Sequence, residues 1–427
     1  MFKFMATLAL TCACLPLQSA SASTIQNQEA ATAGSQVNPV IEWNRTLLVI
    51  VRTQGAQPPT IHSTRNFAML HGAIYDAVDN ITGDFTPYLV RLPDVSRKAS
   101  QTAAADQAAH DVLVSLYPTF QSALDTELEA DLARIPDGKS KTDGITIGQA
   151  VAAQMLAFRS NDGSGATPPV YQPINRPGFY QLTPPDFTPA DFTHWPNVTP
   201  FAIARADEFL PAPPPELKSD LYTHSFNEVM RVGESDSKAR TVDQTQIGQF
   251  WNGKIQNYWN EIAQTAALGN HLDLEQSARL FALLNISLAD TTIAFFEAKY
   301  FYQVWRPVTG VQDAAKDGNP NTTADTDWLP LTTKTAPDPS YPGAHSAISA
   351  AGAQVLAFYF GNKFTFDVTS EVLPGVTRHF TSFSAAAQEA GFSRIFAGQH
   401  FPTDHTAGKK LGQAVAESID ETILLPQ

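Results

Sequence analysis

Apolar residues recur three and four positions apart through most of this chain, and nowhere does apolar-polar alternation persist over several runs. That period predicts a mostly helical protein, because it brings the apolar positions onto one face of a 3.6-residue turn. The stretch STRNFAMLHGAIYDAVDNI, residues 63–81, reads as one such helix, with Ser63 or Thr64 placed to cap it. Further helices are predicted at 42–54, in two pieces across 105–135 broken near Pro118, and at 144–165, where a glycine-rich turn ends the run. Prolines crowd residues 168–215 and remove helix donors, which predicts an extended linker or cover segment. Helical spacing resumes at 241–253 and 256–269 and continues in a long helix from Leu274 to about Trp305. A loop is expected from Thr309 to Tyr341, then helices from Pro342 to about Phe360, from Ser382 to Gly398 and from Pro402 to about Ile423. The pattern therefore predicts an all-α protein with an N-terminal helical domain (23–167), the proline-rich segment (168–215) and a C-terminal helical domain (216–427).

The first 22 residues break this pattern: Lys3, an apolar run from Phe4 to about Leu17, then Ala20-Ser21-Ala22. They predict a secretory signal peptide cleaved after Ala22, with an apolar run too short to favour a membrane span. The mature protein is accordingly expected to be exported, periplasmic or extracellular, with no transmembrane anchor. Both cysteines, Cys12 and Cys14, fall inside that leader, so the mature chain is expected to lack disulfides, thiolate metal sites and a cysteine nucleophile. The formal net charge is -14 and no basic run occurs, which speaks against nucleic acid or an anionic membrane as a partner. An anionic substrate or cofactor therefore needs positive charge concentrated locally.

Three short segments supply that charge. In KYFYQVWRP, Lys299 and Arg306 stand seven residues apart, about two turns of a continuing helix, so both are expected on one face. The aromatic neighbours Phe295, Phe296, Phe301, Tyr302 and Trp305 set an anion-facing role against that of a solvated basic face. In PSYPGAHSAIS, Pro342 marks a helix start whose unpaired backbone N-H groups, at Gly343 and Ala344, can face an anion, with His345 in the first turn. In SRIFAGQHFPTD, Arg394 lies near the end of one helix, Gly398 lets the chain turn and His400 precedes the next. Asp404, four residues on, can take the second ring N-H of His400 and fix its tautomer, while His405 should face elsewhere. Brought together, three cations, two helix N-termini and two imidazoles suit a tetrahedral oxyanion. The cations offset charge on its oxygens, one histidine attacks or coordinates the central atom, and the other serves as acid and base.

In order along the chain, Lys299-x6-Arg306-Pro307, Pro342-x-x-His345 and Ser393-Arg394-x5-His400-x3-Asp404 resemble the signature shared by vanadium-dependent haloperoxidases and type 2 phosphatidic acid phosphatases with bacterial acid phosphatases. The stretches FAMLHGAIYDAVDNI, RTVDQTQIGQFW and LADTTIAFFEAKYFYQVWRPVTGV look like the exported bacterial branch of the vanadium-dependent haloperoxidases, so the resemblance covers nearly the whole mature chain. It implies helical bundles around one oxyanion site holding vanadate, or phosphate in its place. His400 is then the ligand of vanadate or the phosphorylated nucleophile, Lys299, Arg306 and Arg394 bind the oxyanion with the backbone of Gly343 and Ala344, and His345 is the acid-base residue. The implied substrates are small molecules: hydrogen peroxide and a halide, with an organic acceptor or a phosphate ester as further candidates.

Two positions depart from the family pattern. Gly343-Ala344 replaces the usual Ser-Gly, so a hydroxyl contact worth roughly 1.5 to 3 kcal/mol is expected to be missing, with strain at Ala344 if its place demands a positive φ. Asp338 stands where an aromatic or a histidine more often borders the halide, and its carboxylate is expected to repel halide unless neutral or paired. The function this predicts is a vanadate-dependent haloperoxidase that oxidises bromide or iodide rather than chloride. The alternative from the same constellation is a phosphomonoesterase with a phosphohistidine at His400, and the third reading is an oxyanion binder without turnover.

Overall fold

Asn38 opens the first helix by accepting the Val40 N-H on its side chain, with Pro39 at a position whose amide needs no partner. That helix, α1 (Pro39–Arg52), leads to α2 (Ser63–Thr82), α3 (Gln101–Leu116), α4 (Gln121–Ala133) and α5 (Lys139–Arg159) in the computed structural model, which describes residues 38–427. The expected signal peptide lies outside the described residues. The cap of α2 is His62, one residue before the expected Ser63 or Thr64: its Nδ1 accepts the Thr64 N-H at 3.4 Å and lies 2.9 Å from Thr64 Oγ1. Ser63 and Thr64 are instead buried in the first turn.

Beyond the proline-rich stretch follow α6 (Asp220–Gly233), α7 (Val242–Phe250), α8 (Ile255–Gly269), α9 (Leu274–Tyr302), the short α10 (Pro307–Gln312), α11 (Ala344–Phe360), α12 (Phe383–Phe396) and α13 (Pro402–Thr422). Besides the short α10, which runs into the stretch where a loop was expected, helix α6 and a strand pair have no counterpart in the sequence reading. Helix α6 buries Tyr222, Phe226 and Val229 in a small cluster with Trp305, Trp328 and Phe401. The strands β1 (Phe366–Thr369) and β2 (Thr377–Phe380) pair antiparallel with Phe366 opposite Phe380. Four residues apiece are too few for alternation to stand out.

The centre of the fold is α9. Asp273 caps it reciprocally with Gln276, and from Ser277 to Lys299 nearly every side chain is buried. By length and composition this helix could cross a membrane, but 94% of its most apolar window is enclosed by the protein, as expected of a helix buried on all sides in a core. Helix α2 packs against α9, and α11 and α13 also pack against it, within one continuous hydrophobic cluster. The stretch 168–215 therefore does not separate two cores, although a boundary was expected there. It is pinned to α9 by Asp290, whose carboxylate accepts the N-H groups of Phe201, Ala202 and Ile203 at 2.6, 2.7 and 2.9 Å.

Two details of this packing position the site. Gly408 and Gly412 let α13 approach α11 so closely that a Cβ on either would strike the carbonyl oxygen of Gly343 or Ala347. The starts of the two helices are thereby joined, with the Gly343 N-H donating to the Asp404 carbonyl at 2.9 Å. Second, α9 does not run on to Arg306. Gln303 caps it in the left-handed region (φ 53), and Arg306 is extended (φ -80, ψ 155), as the residue before a proline prefers. Lys299 and Arg306 thus do not share one helical face, contrary to the two-turn expectation; a bend brings them together instead.

Candidate active site

The three segments meet. Lys299 lies in the last turn of α9, Arg306 follows the bend, Arg394 lies in the last turn of α12, His345 in the first turn of α11, and His400 and Asp404 flank the start of α13. Arg306 Nη1 reaches His400 Nε2 at 3.1 Å and the Gln399 carbonyl at 3.0 Å. The charges of Arg306, Lys299 and Arg394 all act on His400, and Arg394 and His345 line one cavity.

His400 is 4% exposed, and its Nδ1 lies 3.1 Å from Asp404 Oδ2. Burial raises the Asp404 carboxyl to about 6, while hydrogen bonds from the Ser340 hydroxyl (2.5 Å) and the Phe401 N-H (3.0 Å) oppose that rise. Asp404 is therefore ionised at neutral pH and fixes the proton of His400 on Nδ1. Burial, followed by Arg306 and Lys299, depresses His400 well below the usual imidazole range. The ring is neutral and Nε2 carries a lone pair, consistent with Nε2 accepting from Arg306.

His345 is likewise held neutral, by burial and then by Arg394. Its Nε2 lies 3.0 Å from the Trp251 carbonyl, an acceptor, so Nε2 bears the proton and Nδ1 is the basic atom. Arg394 donates to Asn252 Oδ1 at 2.8 Å, but its buried Nε has no hydrogen-bond partner among the described residues. Burial lowers this guanidinium to about 9. An unpaired donor of this kind marks a place where a ligand oxygen is expected. His405 faces away, with Nδ1 2.9 Å from Ser346 Oγ.

Both departures from the family pattern resolve differently from expectation. Gly343 has φ -74, and Ala344 begins α11 without a positive φ, so no strain arises there. The Gly343 N-H is taken up by the Asp404 carbonyl and is not a free donor for an anion, because α13 lies too close. Asp338 is paired: its Oδ1 lies 2.7 Å from both Lys299 Nζ and Arg306 Nη2. Burial alone would raise this carboxyl, but the two cations hold it below the ordinary value, so it is ionised and neutralised by its partners. The expected repulsion of halide is offset accordingly.

Sequence reasoning did not find Ser340, Asn252 or the Trp251 carbonyl. Ser340 lies in the same PDPSYPGAHS stretch as Asp338, yet its partner Asp404 is 64 residues away, beyond any periodicity argument. A cavity of about 630 Å³ opens onto His345 and Arg394, walled by Thr183 to Asp186 of the proline-rich segment, by Asn252 to Lys254 and by Lys334 to Pro337. Three cations against the carboxylates Asp338 and Asp404, a neutral His400 with Nε2 as a base and an unpaired Arg394 Nε fit a tetrahedral oxyanion such as vanadate.

Comparison with known proteins agrees with this arrangement. A family model described as "VCPO second helical-bundle domain" matches residues 279–424. Vanadium chloroperoxidase of Curvularia inaequalis is 26% identical over 497 aligned residues, covering 88% of this chain and 80% of that one. Among solved structures, a bacterial vanadium-dependent iodoperoxidase superposes with a TM-score of 0.76 at 24% identity, covering 93% of this chain and 100% of the other. A holo-type bacterial vanadium-dependent chloroperoxidase superposes with a TM-score of 0.69 at 16% identity, covering 91% and 98%. At these identities the superpositions speak for the fold, and the ordered motifs and the family model carry the relationship further. The chain is similar to vanadium-dependent haloperoxidases over most of its length and shares their fold.

Proposed function

We propose that this protein is a vanadate-dependent haloperoxidase that uses hydrogen peroxide to oxidise bromide or iodide. The observation that carries the reading is the neutral His400, with its proton fixed on Nδ1 by Asp404, its Nε2 3.1 Å from Arg306 Nη1, and the charges of Lys299 and Arg394 acting on it as well. Lys299, Arg306 and Arg394 hold the oxyanion by charge, and His400 Nε2 is its protein ligand. Bound vanadate supplies a Lewis-acidic centre at which peroxide becomes a two-electron oxidant. His345, with Nε2-H anchored on the Trp251 carbonyl, would take a proton from hydrogen peroxide at Nδ1 and hold it there as the acid-base residue. The cavity above His345 admits peroxide and halide and has room for an organic acceptor. Bromide and iodide are easier to oxidise than chloride, and the similarity to an iodoperoxidase supports that preference.

We propose export as well, supported by Lys3, the apolar run and Ala20-Ser21-Ala22. The test is halide oxidation by protein recovered from the periplasm or medium, whose mass should begin at Ser23, with and without added orthovanadate. Vanadate-dependent turnover of bromide or iodide is expected, reduced at least about 100-fold in His400→Ala. Turnover that persists in that variant would sink the assignment. Hydrolysis of p-nitrophenyl phosphate without any halide oxidation would assign phosphoryl transfer to the same cage.

A further inference from the structure

Lys299 has three N-H donors, and all three already have protein acceptors: Asp338 Oδ1 at 2.7 Å, the Ser340 carbonyl at 3.3 Å and the Pro339 carbonyl. Arg306 has little more to offer. Its Nε donates to the Asp338 carbonyl (2.7 Å), its Nη1 to Gln399 and His400, and its Nη2 to Asp338 Oδ1 (2.7 Å). The two cations are 0% and 1% exposed, whereas the Asp338 side chain is 14% exposed, so the carboxylate is the partner nearer solvent. Nothing entering from the cavity can take a hydrogen bond from Lys299 while these contacts persist.

The Asp338 backbone is held in place on both sides. Its N-H donates to the Ala336 carbonyl at 2.9 Å and its carbonyl accepts from Arg306, which leaves the side chain free to turn without moving the chain. Of the acceptors on Lys299, two are backbone carbonyls in the rigid approach to α11. The carboxylate is the one that can leave, and it carries the charge an oxyanion would replace.

We propose that Asp338 is an internal counter-anion that stands in for an oxyanion between Lys299 and Arg306, so that vanadate or phosphate binds by displacing it. This rests on the oxyanion reading of the site and adds a selectivity rule. An anion must outcompete a carboxylate held by two cations, so multiply charged tetrahedral oxyanions enter the cage and singly charged anions, halide included, do not. Asp338 thereby keeps halide out of the oxyanion position and leaves it to approach from the cavity. The alternative role for the same residue is positional: Asp338 would hold Lys299 and Arg306 in place for the anion, and its loss would weaken binding.

Calorimetric titration of the mature protein and of Asp338→Asn with orthophosphate, at pH 7 and fixed ionic strength, separates the two. The neutral amide should bind phosphate roughly tenfold tighter or more, a change of about 1.4 kcal/mol or greater, and should admit nitrate, which the unaltered protein excludes. Equal or weaker phosphate binding in the variant overturns the proposal and leaves the oxyanion site standing. Failure of both proteins to bind removes the oxyanion reading and this proposal together. A crystal of the unaltered protein soaked in orthophosphate gives a second test that does not depend on the variant folding. The carboxylate should have left both cations, and phosphate in the cage with Asp338 still at Lys299 and Arg306 overturns the proposal.

Discussion

At the residue scale, Lys299 sets the pH range of the site. Burial lowers its ammonium to about 8, with Asp338 opposing and Arg306 adding to the shift. A lysine with a lowered value is charged below that value and loses its charge as the pH rises through it. Affinity for the doubly charged form of phosphate should therefore be level below about pH 8 and fall up to roughly tenfold per unit above it. Phosphate dissociation constants measured from pH 6.5 to 9.5 check this, and Lys299→Met should remove the step near pH 8, leaving the fall near pH 9 that Arg394 sets, while weakening binding throughout. The identities of Lys299, Arg306, Arg394, His345, His400 and Asp404 were all legible in the sequence, since each sits in a short motif. Of what they touch, only the Asp404–His400 pair could be read there as well. The pairing of Asp338 with two cations joins residues 39 and 32 positions away, and the bond from the Gly343 N-H to Asp404 depends on a second helix.

At the scale of elements, two helix ends decide the geometry. The turn at Gln303 stops α9 before Arg306, a stop only partly visible in the sequence as the proline at 307. The approach of α13 to α11 depends on glycines whose missing side chains let backbone touch backbone. Gly412→Ala places a methyl against the Ala347 carbonyl, an atom fixed within α11. This substitution should cost roughly 2 to 4 kcal/mol of stability in urea denaturation. It should also lower halide oxidation in the remaining folded protein, because His345 and His400 are carried by the two helices it forces apart. Helix α6 was missed although Tyr222, Phe226 and Val229 carry helical spacing: it lies just beyond the proline-rich segment, in the stretch 216–240 to which no helix was assigned.

At the scale of the whole molecule, α2 and α9 lie on opposite sides of the proline-rich stretch in sequence and in one hydrophobic cluster in space. Residues 38–427 should consequently unfold in a single calorimetric transition, and cleavage within 168–215 should not release two independently folded halves. Two separate transitions would restore the two-domain division. By itself the sequence determined the helical class, the positions of most long helices and the candidate residues that the fold brings together, because periodicity and motif spacing are local properties of the chain. Only the tertiary structure decided that the helices share one core, that Lys299 and Arg306 meet across a bend, and that Asp338 stands between them. Those outcomes depend on contacts between residues far apart in sequence, where burial and charge pairing settle competitions that no local pattern records.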